Sequence, residues 1–161
     1  MTRYASILVA ALVLTACAGT PRTTTAETAQ ATAAAIDSVP AGGLPPQRLE
    51  PGQCGLFLWG MSAPRKFVFF SEATSGTALA LLDDMPQKLR MTSAAGDVFG
   101  QFLTDMEFQD AATGRSVHIL INPGEPLEGG QRVDTGNLLV RSADGWETIL
   151  PVTGVRACMP G

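Results

Sequence analysis

From Leu44 onward the chain is a succession of short apolar runs, each cut off by Gly, Pro, Asn or Asp, and no stretch keeps a 3.6-residue period. Such punctuation excludes long helices and predicts strands. Candidate strands cover residues 55–59, 66–71, 77–82, 88–92, 101–109, 116–122, 137–142 and 146–157, the last with a break near Pro151. Within 101–109, Phe102, Thr104, Met106 and Phe108 alternate with Gln101, Asp105, Glu107 and Gln109, as in a half-buried strand. Lys88 and Arg90 against Leu89 and Met91 follow the same rule. Asp144-Gly145 predicts a hairpin, because Asp-Gly tolerates the positive φ values of a type I′ turn. Pro51-Gly52 and Asn122-Pro123-Gly124 read as further turns, and Asp83-Asp84 as a turn or strand end. The expected fold is all-β: a small antiparallel β-barrel or β-sandwich of seven or eight short strands over residues 44–161.

The N-terminus has a different character. Arg3 precedes a nine-residue apolar core, 5–13, interrupted only by Ser6, and small residues follow, in the order of a secretory signal. That core is too short to span a bilayer, which takes about 20 residues. It ends in Leu14-Thr15-Ala16-Cys17, which resembles the lipobox of bacterial lipoproteins. The resemblance implies that residues 1–16 are removed, that the Cys17 thiol is lipidated and that its new amino group is acylated. Several acyl chains together hold a protein firmly at a membrane. Ala18, where inner-membrane lipoproteins of enterobacteria carry Asp, points to the outer membrane, facing the periplasm. Most residues from Ala18 to Gly43 are Ala, Thr, Gly, Pro or Ser and none is aromatic. Such a segment buries too little apolar surface to offset its ordering entropy. It reads as a tether with a reach of roughly 25–30 Å.

With Cys17 assigned to lipid, Cys54 and Cys158 remain, bracketing the β-region. An oxidising compartment predicts a disulfide between them. They lack the Cys-X-X-Cys spacing of a redox-active pair.

The inventory for chemistry is poor. The 15 Asp and Glu outnumber the 11 Lys and Arg, which speaks against a nucleic-acid partner. The lone histidine, His118, has no nucleophile motif to serve. One histidine beside a disulfide is too little for a zinc site. Asp105 and Glu107 share a strand face, where solvating an outer surface is the simpler role. The Glu128-Gly129-Gly130 stretch lacks the Lys of a phosphate loop and reads as a loop. No catalytic residue, cofactor or metal is therefore expected.

Contact residues are better represented. Trp59 and Trp146 are candidate anchors, since aromatics are enriched at binding hot spots. Trp59, beside Phe57, is expected in the core, and Trp146 exposed after its turn. The run Phe67-Val68-Phe69-Phe70 is expected to be buried on both faces of its strand. Residues 93–99, Ser-Ala-Ala-Gly-Asp-Val-Phe, are similar to the Ser-Ala-Ser-Gly-x-x-Tyr segment of the membrane-bound inhibitors of C-type lysozyme. Those are also small β-barrel periplasmic lipoproteins, and the likeness implies that Ser93 enters the lysozyme cleft. Phe99 stands in place of Tyr, and no Trp-x-Lys-Gly segment follows. The expected function is a non-catalytic, lipid-anchored module of the bacterial cell envelope that binds a protein or cell-wall partner or supports envelope structure. A lysozyme inhibitor and a carrier of a small apolar ligand are the alternatives.

Overall fold

The computed structural model describes residues 42–161. The signal segment, Cys17 and the tether up to residue 41 lie outside the described residues. Eight strands follow: β1 (Cys54–Gly60), β2 (Phe67–Glu72), β3 (Thr77–Leu82), β4 (Met85–Phe99), β5 (Phe102–Gln109), β6 (Ser116–Leu127), β7 (Gly130–Arg141) and β8 (Glu147–Cys158). Each pairs antiparallel with the next, and β8 returns to β1 from Cys54↔Cys158 to Gly60↔Val152. This up-and-down closure makes the fold a barrel rather than a sandwich, and leaves the sheet without a full-length free edge.

Period-two alternation places the core inside the barrel. Leu56, Leu58, Phe69, Leu89, Phe99, Phe108, Val117, Ile119, Val133, Leu138 and Val152 are buried there, with Phe69 and Phe108 meeting edge to face at 5.3 Å. In β5 the inward residues are Phe102, Met106 and Phe108, as their spacing predicts. At this strand number the interior is just wide enough for side chains to fill it or for one small ligand.

The aromatic run of β2 does serve both faces, through a bulge. Leu58 pairs with Phe69 and Trp59 with Phe67, so Val68 is an extra residue, and it joins Phe69 in the core. Phe67 and Phe70 lie on the outside instead, against Phe57 and Trp59 of β1. Trp59 is thus half-buried on the outer wall and not a core residue, because Leu56 and Leu58 take the inward positions of its strand. The segment before β1 covers part of this outer cluster. Leu44 is fully buried, its N–H donating to the Phe67 carbonyl at 2.8 Å, and Leu49 converges with Phe57 and Phe70 over Gly55.

Several local expectations need correction. The strand expected at 88–92 is the fifteen-residue β4. Its first part pairs with β3 as far as Arg90, and residues 93–99 continue as a hairpin with β5 alone. Residues 92–98 of that extension are all exposed, so they need no apolar alternation. Asn122-Pro123-Gly124 is not a turn. β6 passes through it with two register irregularities and turns only after Leu127, which pairs with Gly130. The Asp144-Gly145 hairpin exists but is not type I′: Gly145 N–H bonds the Ser142 carbonyl, Ser142 N–H bonds the Trp146 carbonyl, and Gly145 has a positive φ of 91°. This is a type I turn followed by a left-handed glycine, the three-residue alternative. The two positive φ values of a type I′ turn occur at Asp83 (52°) and Asp84 (58°), which join β3 to β4. Pro151 does not break β8. The Met61 N–H donates to its carbonyl at 3.0 Å, and the N–H that proline lacks would have faced the point where β1 has ended.

Candidate functional site

The expected disulfide is present. Cys54 and Cys158 are bonded and stand opposite each other in the β1–β8 ladder. Both sulfurs are thereby committed to closing the barrel.

His118 projects outward from β6, its Nε2 2.7 Å from Asp105 Oδ1, with Glu107 opposite it in the ladder. A hydrogen-bonded strand histidine accounts for this geometry. Among the described residues no cluster of three or more His, Cys, Asp or Glu side chains could hold a metal ion. The carboxyl groups that folding holds below their usual range serve the turns. Asp83 is lowered by the Arg115 guanidinium, Asp110 by the Thr113 hydroxyl and the Ala112 amide, and Asp144 by the Ser142 hydroxyl. With the Lys66–Asp84 pair at 2.5 Å and the Arg115–Asp83 pair at 2.6 Å, they brace the barrel end opposite the disulfide.

The two tryptophans separate. Trp146 is 77% exposed at the β7–β8 turn. Trp59 is held by its neighbours: its ring stacks with Phe67 at 5.2 Å and with Phe57 at 6.4 Å. What remains uncovered lines a cleft of about 450 Å³ on the outer wall, completed by Arg65, Leu127, Arg132, Thr153, Gly154 and Val155. The ladders explain this convergence. Trp59 pairs with Thr153, while Val155 lies between Phe57 and Arg132, so one outer face collects side chains from β1, β8 and β7. Arg65 arrives from the β1–β2 loop and Leu127 from the end of β6. Among the described residues Lys66, Arg115 and Arg141 each have a carboxylate, whereas Arg65 and Arg132, like Arg48, Lys88, Arg90 and Arg156, form no ion pair. Trp59 is recognisable in the sequence as a candidate anchor. The two arginines are not, because only barrel closure brings them to it.

Ser93 is exposed on the extended β4–β5 hairpin, opposite Glu107. A second cleft of about 450 Å³ lies between this hairpin and the β2–β3 turn, and Ala73, Met91, Ala94, Val98, Phe102 and Met106 give it an apolar lining. It has no converging cations. The Trp59 cleft, with a fixed aromatic ring and two unpaired guanidinium groups, is the better equipped for recognition. No family model, curated protein or solved structure matches the chain.

Proposed function

We propose that this chain is a non-catalytic binding module, anchored through lipid on Cys17 to a bacterial outer membrane and facing the periplasm. It recognises its partner on the outer wall of the barrel, at Trp59. One observation carries the reading: a rigidly stacked indole shares an open cleft with Arg65 and Arg132, neither of which has a carboxylate partner. Tryptophan and arginine are the side chains enriched at binding hot spots, so this combination is suited to a contact surface. The inward positions are occupied by a cluster of apolar side chains, which supports an outer site for recognition. The lipobox resemblance supports the anchor.

Two measurements test it. Cys17→Ser should abolish lipidation and leave an unprocessed precursor; normal cleavage and membrane attachment of that variant would refute the anchor. A photo-crosslinking residue at position 59 in intact cells should capture an envelope component, and the same residue at exposed position 85 should not. Equal labelling from both positions counts against recognition at Trp59.

A second reading has one specific support. Ser93 and the residues similar to lysozyme-inhibitor segments lie exposed on a hairpin that extends beyond the β3 ladder, a shape able to enter a cleft. Lack of inhibition of C-type lysozyme at micromolar protein would remove it.

A further inference from the structure

We infer that the Trp59 cleft binds an acidic saccharide, with a sugar ring against the indole and its carboxylate or phosphate held by Arg65 and Arg132. This deepens the binding-module reading and rests on it.

The argument begins with the indole. Phe67 stacks on it, with ring planes 28° apart, and Phe57 packs alongside, so its orientation is set before any ligand arrives. A preordered aromatic gives contact area at little entropic cost. An indole combines a flat apolar surface with a polar N–H, which suits a ring that has C–H faces and a hydroxyl rim.

Charge narrows the class. The chain is acidic overall; among the described residues Lys66, Arg115 and Arg141 each meet a carboxylate, while Arg48, Lys88, Arg90 and Arg156 do not. Arg65 and Arg132 have none, although both line one cleft. The lining of this cleft holds two arginines and no Asp or Glu, and guanidinium groups hold carboxylate and phosphate through paired hydrogen bonds, so the cleft suits an anion. A nucleic acid carries a charge at every nucleotide and is bound along a longer basic track than the two arginines of this cleft provide. An acyl chain needs a continuous apolar trough, whereas this lining mixes Trp59, Leu127 and Val155 with two arginines and Thr153. About 450 Å³ lies within the ordinary range for a small-ligand site.

The full chain carries two tryptophans, so a Trp146→Phe background makes indole fluorescence report on Trp59 alone. In that background the purified protein is titrated with trigalacturonate, glucose 6-phosphate, maltotriose, inorganic phosphate and phosphatidylglycerol vesicles. Trigalacturonate or glucose 6-phosphate should change the emission saturably, and maltotriose should bind at least about tenfold more weakly. Arg65→Gln and Arg132→Gln should each weaken the acidic ligand about tenfold, the usual consequence of losing a charged hydrogen bond, with the unfolding midpoint unchanged. Calorimetry on Trp59→Leu, which does not depend on fluorescence, should show no binding. The assignment is overturned if maltotriose binds equally well or if the arginine variants retain full affinity. It is equally overturned if inorganic phosphate binds as tightly as glucose 6-phosphate, or if only the vesicles bind. A position-59 crosslink to an envelope component, without any response to the acidic sugars, would keep the module reading and reject this ligand.

Discussion

Cys54 and Cys158 are directly opposed across the β1–β8 seam, so the disulfide closes the barrel at the pairing of greatest sequence separation. The bond spans 104 positions. In the chain-entropy account, cross-linking a loop of that size stabilises the folded state by about 4.7 kcal/mol. Reduction, or Cys54→Ala with Cys158→Ala, should therefore lower the unfolding free energy in urea by about 3–5 kcal/mol. Under reducing conditions the wild-type chain should match the double variant. An unchanged urea midpoint after complete reduction would show that the ladder alone holds the seam.

Gly100 and Arg156 interlock at the same end of the barrel. Gly100 has a φ of +64°, and a Cβ there would lie 2.7 Å from the Arg156 guanidinium carbon. That guanidinium sits 5.7 Å from the centre of the Phe99 ring, and its Nε is buried without a hydrogen-bond partner. Gly100→Ala should cost about 2 kcal/mol, combining left-handed backbone strain with displacement of the cation from the ring. Arg156→Met keeps the packing of the stem while removing the unsatisfied nitrogen, so it should change stability by less than about 1 kcal/mol. In the double variant the Gly100→Ala cost should fall to about 1 kcal/mol, the backbone share alone. Strict additivity in urea melts would show that the two positions do not interact.

Acid should destabilise the end opposite the disulfide. Asp83, Asp110 and Asp144 titrate below their usual value in the folded chain because Arg115, Thr113 and Ser142 bond their charged forms. A carboxyl group whose pKa is depressed by folding adds stability above its unfolded value, near 3.9, and loses it as pH falls through the folded value. Urea midpoints should vary little from pH 7 to about 5 through these groups and drop below about pH 4. Asp110 is 6% exposed and accepts bonds from the Thr113 hydroxyl at 2.5 Å and the Ala112 N–H at 2.9 Å. Asp110→Asn should lower stability at pH 7 and flatten the acid slope. A slope identical to wild type would show that Asp110 takes no part.

The strands were legible because period-two patterns such as Phe102 to Phe108 report burial on one side. Closure was not, because it depends on β8 meeting β1, a pairing that no local pattern encodes. The extents of β4 and β6 were hidden for a related reason. Residues 92–98 are all exposed, so their sequence carries no alternation, and Pro123 and Gly124, which look like a turn, are absorbed as irregularities of β6. At the candidate site the aromatic half was readable and the cationic half was not. Trp59 announces itself by type, whereas Arg65 and Arg132 look like ordinary surface residues until the ladders bring them beside it.

The two tryptophans should behave as opposites. Trp146 is 77% exposed, so Trp146→Ser should shift stability by no more than about 0.5 kcal/mol. Trp59 loses its contacts with Phe67 and Phe57 on truncation, so Trp59→Ala should cost about 1–3 kcal/mol through lost burial and ring stacking. Single-tryptophan variants give an independent check. Trp146 emission should be water-like and readily quenched by acrylamide, while Trp59 emission should lie to the blue and be quenched less. If Trp59→Ala leaves the urea midpoint unchanged and Trp59 is quenched as readily as Trp146, the indole is not held by its neighbours. The preordered outer wall would then be wrong.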